Sequence, residues 1–149
     1  MSQYAYGEFE IIDAHTHIFP APLAEKASEN IGKFYGYKPG HPGSAESLLN
    51  EGAKYGVRKY LVCSVATTPR QVRDINNFIV AECAEHPEFF GFGTLHPEMD
   101  GLEDEVERII SMGLRGVKLH PDFQRFNLDS PEAFKIYELV EGRLPLLVH

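Results

Sequence analysis

The chain has 149 residues, 43% hydrophobic and 24% charged, the balance of a single globular domain with room for a real core. Its 14 basic against 22 acidic residues leave a net charge of -8, which argues against a nucleic-acid-binding surface, and no Lys/Arg cluster offsets it. The opening Met-Ser-Gln-Tyr-Ala-Tyr-Gly-Glu lacks the basic head and apolar centre of a signal peptide, and no apolar run approaches the roughly 20 residues of a membrane span.

In chain order, short apolar runs at about 9–14, 59–66, 89–95, 114–120 and 144–149 read as strands. Phe9, Ile11 and Ile12 give the first the look of a buried strand. Residues 18–43 follow with Pro, Gly and aromatics but no clear period, the mark of a long loop that walls or covers a pocket. Ser44 then caps a helix ending at Gly56. The second strand includes Cys63. With Cys83 in the next helix, it reads as a small apolar residue in a reducing compartment, which makes the expected location cytoplasmic. Thr68 before Pro69 opens that helix, with Val72, Ile75, Ile79 and Cys83 at helical spacing. Asp100–Met112 gives a third, stopped by Gly113, and Ser130-Pro131 opens a fourth that ends at Gly142. Strands alternating with helices make a parallel α/β sheet with right-handed crossovers. No Gly-x-Gly-x-x-Gly follows the first strand, so a dinucleotide-binding sheet loses its main support.

The residues that carry chemistry gather where strands end. In Ile11-Ile12-Asp13-Ala14-His15-Thr16-His17, alternation puts His15 and His17 on one strand face, where two imidazoles can grip one metal ion. Spacing alone is a weak signal, because such pairs also arise by chance. Asp13 shares their face and can orient a ligand or bond within the sheet. Thr67, His96, His120 and His149 also fall at strand ends, the rim that carries the active site of a (β/α)₈ barrel. His96 and His120 each precede a proline, which by itself means only a strand-terminating turn. His41 and His86, also before prolines, carry no catalytic role.

Four segments together resemble a known family. They are Ile11–Pro20, Phe89-Phe90-Gly91-Phe92-Gly93-Thr94-Leu95-His96-Pro97, Gly113-Leu114-Arg115-Gly116-Val117-Lys118-Leu119-His120-Pro121, and Leu144–His149. In order and spacing they are similar to the amidohydrolase superfamily, in the branch that includes aminocarboxymuconate-semialdehyde-type decarboxylases. The resemblance implies a metal-dependent (β/α)₈ barrel, with His15 and His17 from its first strand and His149 from its fifth as ligands of a divalent ion, zinc foremost. The family's remaining histidine and its general-base aspartate belong to later strands and have no counterpart here. Such a barrel runs to roughly 250 residues. The chain is therefore expected to be the N-terminal part of a longer protein, about five of eight βα units with open sheet edges that favour a homo-oligomer.

Lys118 lies where other branches carry a carboxylated lysine that bridges two metals. In the branch resembled here the site holds a single metal, and Lys118 is expected at the rim, contacting substrate or a carboxylate, with a carbamylated ligand as the lesser alternative. His120 and Phe123, with Gln124 and Phe126, are expected to line the pocket. Arg70 is expected either to meet a substrate carboxylate or to stand exposed in the first turn of its helix. The implied activity is hydrolysis of an amide, ester or lactone-type bond of a small molecule through a metal-activated water. The rival is a lyase, a metal-dependent non-oxidative decarboxylase of an aromatic or unsaturated acid. A third reading is an inactive partial barrel that associates with another chain.

Overall fold

The computed structural model describes residues 9–149; residues 1–8, read above for a signal peptide, lie outside them. The chain packs as two compact units, the first ending at Val62 and the second running from Cys63 to His149.

The first unit runs β1 (Ile11–His17), α1 (Ala21–Tyr35), α2 (Ala45–Tyr55) and β2 (Val57–Cys63), whose last residue opens the second unit. β1 lies beside β2 at the edge of its sheet. It is not the buried strand its apolar residues suggested: Phe9 is 82% exposed and Ile12 53%. An edge strand has a neighbour on one side only, so apolar side chains alone do not bury it. What ties β1 down is Thr16, buried on the face opposite His15 and His17, whose Oγ1 donates to the Leu61 carbonyl at 2.7 Å.

The segment 18–43, expected to be a loop, carries a helix of 15 residues. Pro20 and Pro22 set its first turn, and Gly36, with φ of 73°, ends it in the left-handed conformation that glycine adopts freely. The apolar period is faint because the buried residues of α1 are Ala24 and Gly32. A Cβ at Gly32 would meet the Tyr37 carbonyl and the Pro39 ring, so backbone passes where a side chain would stand. α2 behaves as read: the Ser44 hydroxyl accepts from Ser47 N at 3.2 Å, and Gly56 caps the far end. Gly52 of α2 leaves room for the buried ring of Tyr60 on β2.

The second unit begins with a 3₁₀ turn, Pro69–Gln71, and continues through α3 (Val72–Glu85), β3 (Phe89–Gly91), β4 (Gly93–Thr94), α4 (Leu102–Ser111), β5 (Val117–Leu119), α5 (Pro121–Gln124), α6 (Pro131–Val140) and β6 (Leu146–Val148). β4, β5 and β6 form a parallel sheet with β5 in the centre; Gly93 pairs Val117, Thr94 pairs Lys118, and Lys118 pairs Leu147. The single strand expected at 89–95 is two short pieces separated by Phe92. α3 packs on β3 and β4, and α4 packs on α6. Val72, Ile79, Leu95, Val106, Ile109, Val117, Leu119 and Ile136 are fully buried and form the core. α3 and α4 are also joined through polar groups. The buried Glu105 carboxylate accepts from Asn76 Nδ2 at 2.8 Å and Arg108 Nη2 at 2.7 Å, and it pairs with Arg73 at 3.2 Å. Asn76 completes the link by accepting from Thr94 N and donating to its carbonyl.

Candidate metal and substrate site

β1 delivers the histidine pair as alternation requires. The rings of His15 and His17 stand side by side with centroids 5.1 Å apart, tilted by 54°; His15 is exposed and His17 half-buried. Two accessible imidazoles on one rigid strand face suit a divalent ion such as zinc. Asp13 accepts from the backbone N–H of His15 at 3.2 Å, so it fixes the strand at the pair.

In the second unit the C-terminal ends of β5 and β6 bring His120 and His149 together. His149 N bonds the Leu119 carbonyl at 3.3 Å, and the two rings stack with centroids 4.6 Å apart and planes within 10°. Phe123 also stacks on His120, with centroids 3.9 Å apart, and the two ring contacts together fix the His120 plane. His120 caps α5: its Nδ1 accepts from Phe123 N at 3.4 Å, a long bond. With Nδ1 as acceptor, the neutral ring carries its proton on Nε2 and is a donor there. Burial first, then the neighbouring His149 and Lys118, push its pKa down to about 4, so the ring is neutral at ordinary pH.

Sequence reasoning placed Gln124 only as pocket wall, and the structure gives it more to do. It is buried, accepts from His120 N at 2.8 Å, and donates to the carbonyls of Ala66 at 3.0 Å and Leu95 at 2.6 Å. One side chain thus binds the segments that follow β2, β4 and β5. His96 is part of the same frame. It is buried, its Nδ1 accepts from Glu98 N at 3.2 Å, and burial lowers its pKa against the pull of Glu98 and a backbone bond to Thr67. It reads as a satisfied structural histidine. Arg70 stands exposed in the 3₁₀ turn. Lys118, expected at the rim, is instead fully buried on the central strand. The reason is that β5 is covered on both faces, with Val117 and Leu119 buried as well.

The fold places the chain among solved structures of low sequence identity. A probable 2-pyrone-4,6-dicarboxylic acid hydrolase from Acinetobacter baumannii, crystallised with citric acid, superposes with a TM-score of 0.61 at 16% identity, over 95% of this chain and 49% of that one. A dihydroxybenzoic acid decarboxylase from Polaromonas sp. JS666, holding manganese and the inhibitor 2-nitroresorcinol, gives 0.64 at 15% identity, over 94% and 49%. The chain thus spans about half the length of the structures it matches, and its α/β fold is part of a parallel (β/α)₈ barrel. The amidohydrolase family model matches residues 12–149, from the first strand through His149, and the chain belongs to that family.

Proposed function

We propose that the chain carries the N-terminal part of a metal-dependent hydrolase acting on an amide, ester or lactone-type bond of a small molecule. The observation that supports this best is the His15–His17 pair, two imidazoles on one strand face in a chain of the amidohydrolase family. In this reading His15, His17 and His149 hold the ion. Zinc is the first candidate for imidazole ligands, and manganese is the alternative. When bound, the ion supplies Lewis-acid polarisation of a carbonyl and acidifies water. The chain's own residues do the rest. His120, neutral and protonated on Nε2, donates a hydrogen bond to a substrate oxygen. Phe123 and Gln124 hold its ring and its backbone in place for that bond. No residue of this chain is assigned the role of general base.

The rival, non-oxidative decarboxylation of an aromatic or unsaturated carboxylic acid, uses the same ligands. The test loads the protein with zinc or manganese and offers lactones, esters, anilides and aromatic acids. Hydrolysis that stops on chelation and in His15→Ala supports the proposal. Carbon dioxide release without consumption of water selects the lyase. Turnover indifferent to chelation contradicts both.

A further inference from the structure

Asn76 stands on the apolar stripe of α3, in register with Val72 and Ile79, and like them it is fully buried. α3 packs on β4, a strand of two residues at the edge of its sheet. Gly93 N bonds the Gly116 carbonyl on the β5 side, so alternation turns the N–H and C=O of Thr94 to the free edge. Asn76 takes both. Its Oδ1 accepts from Thr94 N at 2.7 Å, and its Nδ2 donates to the Thr94 carbonyl at 3.0 Å. One side chain thereby does what a neighbouring strand would do. The Glu105 carboxylate, which only accepts, takes the other Nδ2 proton at 2.8 Å and fixes which end of the amide meets which group. A Cβ at position 93 would stand 3.1 Å from Asn76 Oδ1, so the glycine leaves room for this approach.

From Thr94 the bonds run on to the strand ends. Its Oγ1 accepts from Ala66 N at 3.3 Å and donates to the Lys118 carbonyl at 3.2 Å. The carbonyls of Ala66 and of Leu95, the residue after Thr94, are the two that seat the Gln124 amide, whose Oε1 receives His120 N. We infer that Asn76 is a positioning residue for His120, acting through Thr94 and Gln124. It holds in place the two carbonyls to which Gln124 is tied, and so sets the point from which His120 offers its Nε2 proton. The path from Asn76 to His120 is a property of the fold; that a substrate oxygen takes the proton rests on the proposed function.

The test follows backbone hydrogen exchange in the purified chain, with turnover by the metal-loaded chain beside it. Two variants cut the path, Asn76→Leu at its start and the nearly isosteric Thr94→Val one step on. Ile136→Val, a core change in α6 away from the path, is the control for lost stability. In both path variants His120 N–H exchange quickens at least about tenfold beyond what lowered global stability explains, and in the control only in step with it. Thr94→Val carries the test alone if Asn76→Leu does not fold. In turnover, kcat falls about tenfold with KM held within about twofold, and the loss vanishes where His120 is already replaced, in His120→Ala. A His120 N–H that exchanges in step with global stability in a folded path variant overturns the inference. So does an equal loss of kcat in the His120→Ala background. A His120 N–H response in a chain without turnover upholds the path and counts against the hydrolase; metal-dependent turnover with an unmoved His120 N–H does the reverse.

Discussion

At the residue scale, Lys118 and the histidines show what side-chain period can and cannot reveal. Alternation along β1 is enough to place His15 and His17 together, because that geometry needs no other element. The same rule puts Lys118 and His120 on one face, but only the cover on both sides of β5 decides that Lys118 is buried rather than at the rim. Burial has a thermodynamic consequence. A lysine whose pKa is lowered on folding binds fewer protons in the folded chain than in the unfolded one between the lowered value and the ordinary 10.5. Stability therefore rises with pH across that window, and below it the whole cost of the buried charge remains. Lys118→Met is expected to raise stability at neutral pH by about 1–3 kcal/mol and to flatten this slope. Urea denaturation at several pH values measures it, and a destabilised, folded variant would contradict it.

At the element scale, two clasps hold the second unit, and both were illegible in the sequence because their partners are remote. Gln124 reaches carbonyls 58 and 29 positions away, and nothing local to Pro121–Gln124 announces it. Replacing it with leucine strands two buried carbonyls and the His120 N–H. A loss of about 2–4 kcal/mol is expected, with faster hydrogen exchange at residues 66, 95 and 120. A loss under about 0.5 kcal/mol would show that water takes over these bonds. Glu105 read as one more acid in the first turn of α4, yet it is the charge on which Arg73, Arg108 and Asn76 converge. Burial raises its pKa, but the bonds from Arg108 and Asn76 and the two positive charges outweigh it, and the net shift is downward from 4.5. The stabilisation is therefore present above 4.5 and disappears as pH falls through the lowered value. Glu105→Gln should cost about 2 kcal/mol near neutrality and remove that part of the acid sensitivity, read by thermal melts across the acid range. α1 escaped for a different reason: a helix that buries Ala24 and Gly32 has no apolar stripe to detect.

At the scale of the whole molecule, the alternation of strands and helices was plain from turn residues and caps such as Ser44, Ser130, Gly56 and Gly113, because each acts within a few positions of itself. The edges were legible in principle but not their exposure. β1 and β6 both lie at the edges of their sheets, and Ile12, Leu128, Phe134 and Val148 present apolar surface. Light scattering on the purified chain is expected to give a mass that rises with concentration, and a strictly monomeric mass would contradict the association proposed for it. The central claim is the metal site, and elemental analysis after zinc loading and desalting tests it most directly. The account predicts about one zinc per chain, lost in the His15→Ala/His17→Ala double variant. A native chain that retains no zinc, or a double variant that retains as much, would contradict it.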